Sequence, residues 1–161
     1  MIIALGCDHA GYPLKKLVHD WLDKKGYKVM NLGVNTADVP ADYPDYARAV
    51  SEAVAAGKAE RGVIVCGSGA GVSVAACKIR GIRACTVHDT YTAHQGVEHD
   101  NMNVICLGGR VVGSELAAEI VATFLRAEFS GEERHVRRLA KVAEIERTGG
   151  IDTDLAQFGE A

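Results

Sequence analysis

The sequence predicts a three-layer α/β/α, Rossmann-like fold: a five-stranded parallel sheet of order 2-1-3-4-5, covered on both faces, with an extra C-terminal helix. Three observations predict it. Five short apolar runs alternate with segments of helical period, which is the pattern of repeated βαβ crossovers. The runs are apolar at consecutive positions, as strands buried on both faces must be. The third run, Gly62-Val63-Ile64-Val65-Cys66, feeds directly into Gly67-Ser68-Gly69-Ala70-Gly71 and then a helix start. A strand, a bare glycine loop and a helix N-terminus form a cradle for negative charge, because free N–H groups point into the loop.

Each element has its own signal. Ile2 to Cys7 is strand one, and Asp8-His9-Ala10-Gly11 is the turn that leaves it. Pro13 opens the first helix, where its missing N–H costs nothing; Leu14, Leu17, Val18, Trp21 and Leu22 form its apolar stripe, with Lys and Asp residues on the other face and Gly26 as its end. Tyr27 to Leu32 is strand two. An irregular stretch, Gly33 to Pro44, leads into a second helix carrying Tyr46, Ala47, Val50, Ala53 and Val54, stopped by Gly57. After the glycine loop a third helix runs to about Arg80, and Ile82 to Val87 is strand four. Asp89 or Thr90 can cap a helix reaching about Glu98. His99-Asp100-Asn101-Met102 is a polar interruption before strand five, Asn103 to Leu107. Ser114 is the expected cap of a fifth helix with the stripe Leu116, Ile120, Val121, Phe124 and Leu125. Ser130-Gly131 breaks the chain before a last helix, Glu133 to Arg147. No strand follows it, so it is not a crossover and is available to pack across a partner subunit. Residues 1–148 are read as one domain and 149–161 as a polar, flexible tail.

The composition narrows the function classes. A chain of 161 residues with net charge −3 has no bulk attraction to nucleic acid or to an anionic membrane. No apolar run reaches membrane-spanning length, and the apolar N-terminus is too short for a signal peptide. The five cysteines are odd in number and lack a Cys-x-x-Cys spacing, so neither a disulfide framework nor a zinc ribbon is indicated. Most are expected to be buried reduced thiols, and a cytoplasmic protein is the natural inference. No His-x-x-x-His pair stands on a predicted helix, and no metal site is assigned.

The glycine loop is the centre of the functional reading. Its Gly-x-Gly-x-Gly spacing is not the dinucleotide fingerprint, and no Gly-Lys-Ser/Thr follows as in a Walker A loop. Val72 stands where a Cys-x5-Arg phosphatase loop would need arginine. Cys66 opens the loop beside a helix N-terminus, which favours a thiolate able to act as nucleophile or base. Glycines that only allow tight packing, and a cysteine that only fills a strand end, are the simpler alternatives. The predicted topology brings Asp8-His9 beside this loop, at the switch point between strands one and three. His99 reads as a loop residue; His88 and His94 straddle a helix start without an evident partner. Arg134 and Arg138 share a face of the last helix, and Arg110 follows strand five near the carboxyl edge. Such arginines can bind a phosphate through bidentate bonds.

Taken together, Gly6-Cys7-Asp8-His9-Ala10-Gly11, Asp42-Tyr43-Pro44, Cys66-Gly67-Ser68-Gly69-Ala70-Gly71, Gly81-Ile82-Arg83-Ala84, Asn103-Val104 and Gly109-Arg110-Val111, with Arg134-His135 and Arg138, resemble the ribose-5-phosphate isomerase B family, which includes the galactose-6-phosphate isomerase subunits. The resemblance covers about Ile2 to Arg147. It implies an aldose–ketose isomerase working without metal or cofactor. Cys66 would be the base that moves the proton between C1 and C2, and Ser68 would move protons between O1 and O2. The loop from Gly67 through Gly69 to Gly71 would hold the enediolate. His99 would help open the furanose ring with Asp8. Arg110, Arg134, Arg138 and His9 would hold the phosphate, and Tyr43 would line the pocket. The resemblance also implies a homodimer or homotetramer whose sites combine two subunits, with His99 and some arginines coming from the neighbour. Val72 stands where many members carry a glutamate base, which places the chain with the cysteine-using branch. Asp100 replaces an amide usual next to the histidine, so a tetrose 4-phosphate or hexose 6-phosphate competes with a pentose 5-phosphate as substrate. A non-catalytic phosphosugar- or nucleotide-binding module is the alternative outside enzymology.

Overall fold

Apolar runs bounded by turn residues become the strands β1 (Ile2–Cys7), β2 (Lys28–Asn31), β3 (Arg61–Cys66), β4 (Ala84–Thr86) and β5 (Val104–Gly108). Between and after them stand α1 (Tyr12–Lys24), α2 (Tyr43–Ala55), α3 (Ala70–Ala76), α4 (Thr90–Asp100), α5 (Ser114–Arg126) and α6 (Glu133–Thr148). This is a computed structural model, and it describes residues 1–149; the rest of the expected tail lies outside the described residues. Among them, no helix is long and apolar enough to cross a membrane.

All strand pairs are parallel, as expected for an α/β fold. The strand order is β2-β1-β3-β5-β4, so the expected exchange-free order of the last two strands is corrected. The reason lies in their burial. Every residue of β5 is buried, which requires a neighbour on each side. β4 has only three residues, and Cys85 in its middle is exposed, so it suits an edge.

Alternation along the strands sorts two cores. Val63 and Val65 join Leu14, Val18 and Leu22 of α1 with residues of α4 and α5 on one face. Ile64 and Cys66 join Val50 and Val54 of α2 with Val72 and Ala76 of α3 on the other. Residues Met1–Phe129 form one compact unit and a second begins at Ser130. In the second, α6 is the expected C-terminal helix, and the Ser130 hydroxyl lies 2.7 Å from His135 Nδ1 near its start.

Several expected boundaries shift. The second helix starts earlier, at Tyr43, and the third ends earlier, at Ala76. Asp89 does cap α4, its carboxylate accepting from Thr92 N–H at 2.7 Å. The cap of α5 is Gly113, not Ser114, which is its first helical residue. Leu17 and Leu116, read as stripe residues, are exposed. Lys15, on the face read as polar, is buried.

Candidate active site

Three strand exits meet at the carboxyl edge of the sheet. Cys7 pairs with Val65, and Cys66 with Gly108, so the turns after β1, β3 and β5 leave side by side. The turn after β1 presses directly on the end of β3. A Cβ added at Gly11 would lie 2.1 Å from the Val65 carbonyl oxygen and 2.9 Å from Cys66 N, so no larger residue fits there. Asp8 is nearly buried and its Oδ1 accepts from Gly11 N–H at 2.8 Å, which fixes the turn. The exit of β5 is tied to the same loop: Gly109 N–H donates to Cys66 O at 2.8 Å and Arg110 N–H to Gly67 O at 3.1 Å. The Arg110 guanidinium folds back over Gly67, its Nη1 3.7 Å from where a Cβ would stand.

Cys66 is 5% exposed and faces the α2–α3 side. Its sulfur accepts from Gly69 N–H at 3.1 Å. Gly69 can offer that N–H because it holds φ +82 with its carbonyl fixed by Thr86 Oγ1 at 3.0 Å, a conformation in which a side chain would be strained. Ser68 is exposed, and its Oγ accepts from Ala70 N–H at 3.3 Å. The Tyr43 ring lies against Gly71, 2.9 Å from an added Cβ. His9 Nδ1 sits 3.1 Å from Ala41 N and 3.2 Å from Ala41 O; it accepts from the amide when unprotonated there and donates to the carbonyl when protonated. Three further thiols are held protonated. Burial pushes Cys7 up to about 11 and also raises Cys85 and Cys106, so these stay protonated at neutral pH. The loop can therefore take a proton at one sulfur and meet a developing oxyanion with backbone N–H groups beside a guanidinium.

Asp8, His9, Tyr43, Cys66, Ser68, the loop glycines and Arg110 thus share one edge. His99 and Asp100 do not join them. Both belong to the last turn of α4, so the expected loop position of His99 is corrected. Asn101, which follows, accepts from Arg83 Nε at 2.6 Å, and Arg83 O accepts from Asn103 N–H at 3.2 Å. Arg83 and Asn103 precede β4 and β5, which places this corner at the amino edge. A five-residue strand separates it from Arg110, about 15 Å at roughly 3.3 Å per residue. There His99 Nδ1 meets Gln95 Nε2 at 2.9 Å, and Glu98 Oε2 lies 3.6 Å from His99 Nε2 and 3.3 Å from His94 Nε2. Arg134 and Arg138 stand one turn apart on α6 in the second unit, both exposed, Arg134 paired with Glu132 at 2.8 Å.

Two partners escaped the sequence. His94 has Glu98, and His88 Nε2 accepts from Gly108 N–H at 3.1 Å, so the ring bolts β4 to the end of β5 beneath the loop. The His94-to-Glu98 spacing of four on a helix was a usable signal; nothing local predicted the His88 bond. Among the described residues no group of three or more His, Cys, Asp or Glu could hold a metal ion.

Comparison with known proteins supplies the family. The model of the ribose/galactose isomerase family matches residues 3–142. Ribose-5-phosphate isomerase B of Escherichia coli is 41% identical over 145 residues, covering 90% of this chain and 96% of that one. D-erythrulose-4-phosphate isomerase of Pectobacterium atrosepticum is 42% identical over 129 residues, covering 80% and 85%. A solved structure of Clostridium thermocellum ribose-5-phosphate isomerase B superposes with a TM-score of 0.90 at 45% identity, covering 92% of this chain and 99% of that one. With the cysteine loop, the β1 turn and Arg110 gathered on one sheet edge, the chain belongs to the ribose/galactose isomerase family of sugar-phosphate isomerases.

Proposed function

We propose that the protein interconverts ribose 5-phosphate and ribulose 5-phosphate through a cis-enediolate. The observation that carries the reading is the Cys66 sulfur, buried at the sheet edge under the Gly69 N–H. In the aldose-to-ketose direction the Cys66 thiolate removes the C2 proton and the C–H electrons move into a C1–C2 enediolate. The same sulfur returns the proton to C1 from the same face. Ser68 carries the hydroxyl proton between O1 and O2, and the N–H groups from Gly67 to Gly71 face the oxyanion. Arg110 and His9, with Arg134 and Arg138 of a neighbouring copy, hold the phosphate, which anchors the open chain against the base. His99 and Asp100 reach the sugar from that neighbour, where His99 assists ring opening with Asp8. Tyr43 closes the pocket over Gly71.

Replacing Cys66 by Ala removes the base without adding bulk. Exchange of the C2 proton with solvent deuterium is then lost while ribose 5-phosphate still binds within a few-fold of the native affinity. Undiminished exchange in Cys66→Ala refutes the assignment. A tetrose 4-phosphate is the second reading, favoured by the 42% identity to an erythrulose-4-phosphate isomerase and by the acidic Asp100. The ratio of kcat/KM for C4, C5 and C6 phosphates decides between them.

A further inference from the structure

The least expected side chain in the molecule is Lys15. Only 3% of it is exposed, and it lies on α1, which packs on the sheet face opposite Cys66. An ammonium has three donors. Lys15 uses one, donating to Asn31 Oδ1 at 3.1 Å, and no carboxylate lies within ion-pair distance among the described residues. The Tyr12 ring, 5.4 Å away, offers a cation–π contact that offsets part of the desolvation. A buried charge held this way is costly unless something pairs with it.

Lys15 also borders a cavity of about 210 Å³, shared with Tyr12, Lys16, His19, Asn31 and Asn35. That is smaller than the roughly 300–1,000 Å³ of drug-sized sites, so it suits one oxyanion head group with few carbons. Its walls are rich in donors. Asn31 Oδ1 is already engaged, accepting from Lys15 and from Gly33 N–H at 3.3 Å, which turns its NH₂ group away from both. Lys16 adds a second ammonium and Asn35 a second amide. The one acid at the rim, Asp20, lies 3.5 Å from His19 Nδ1. A small anion would supply what the buried ammonium lacks.

We propose that this α1–β2 pocket is a second binding site, separate from the Cys66 edge, for a small phosphorylated or carboxylated metabolite whose oxyanion pairs with Lys15. The test is a titration of the full-length protein with inorganic phosphate and, separately, malonate, followed by ¹H–¹⁵N NMR. The Asn31 side-chain amide and the backbone amides of Tyr12 and Asn35 report this pocket; the amides of Gly67 to Gly71 report the other site. The expected result is a saturable shift in the pocket group with at least one anion. The apparent affinity falls about ten-fold or more in Lys15→Met, which keeps the buried stem. It falls likewise in Asn35→Asp, an exposed change that leaves the core intact. The tighter of the two anions tells a phosphate ester from a carboxylate. Shifts confined to Gly67–Gly71, or pocket shifts undiminished in both variants, overturn the proposal.

Discussion

Cys7 and Cys66 end neighbouring strands, yet their sulfurs face opposite sides of the sheet and opposite chemistry. Cys66 accepts an N–H, whereas the Cys7 thiol donates to Val34 O at 3.9 Å in a dry core. Burial raises Cys7 from 9.0 to about 11 and outweighs the favourable charge of Lys15. The consequence for stability follows from the sign of that shift. A thiol whose folded pKa is raised contributes fully below the unfolded value, and the contribution is lost as pH rises through the folded one. Unfolding free energy is therefore expected to fall between pH 9 and 11, by about 3 kcal/mol from this group at full titration. Urea unfolding at several pH values, native against Cys7→Ala, checks it: the variant starts less stable at neutral pH but loses less above pH 9. Equal slopes for the two proteins would remove Cys7 as the cause.

At the scale of elements, α5 carries a correctable weakness. Its N-cap, Gly113, has φ −75 and ψ 163 and makes no side-chain bond, while nothing lies within 4 Å of an added Cβ. Gly113→Ser is expected to stabilise by about 0.5–1 kcal/mol, from a new cap bond and a less mobile unfolded chain, read as a higher urea midpoint at unchanged slope. The cap was misplaced by one residue because a serine beside a glycine is the stronger local signal. Other elements were readable for physical reasons. β1 and β3 are apolar on both faces and end at glycine turns, so the strands and their adjacency follow from composition and the usual winding. The order of β4 and β5 was not, because it depends on which strand can bear an edge, and that emerges only when burial on both faces is compared. α4 runs two residues past its expected end at Glu98, and Asn101, which can adopt φ 48, closes it. Lys15 was hidden by its type: a lysine in a helical repeat reads as solvated until the packing encloses it.

For the whole molecule, the reaction proposed above calls on both Cys66 and His99, which lie on opposite edges of one sheet. A chain of this architecture cannot bring them together by side-chain motion, since a strand of five residues stands between. Exposed Val74 and Val111 flank the glycine loop and the Arg110 turn in sequence, and are apolar enough to be covered by another copy. In a two-fold dimer each site would then draw its sulfur from one chain and its imidazole from the other. Mixing tests this directly. Cys66→Ala and His99→Ala are each expected to be inactive or nearly so on the cyclic sugar. After joint unfolding and refolding, a mixed dimer holds one site with both residues native and one with neither. Random assortment should restore about a quarter of native activity. If His99 served its own chain, every site in the mixture would carry a lesion and no activity would return.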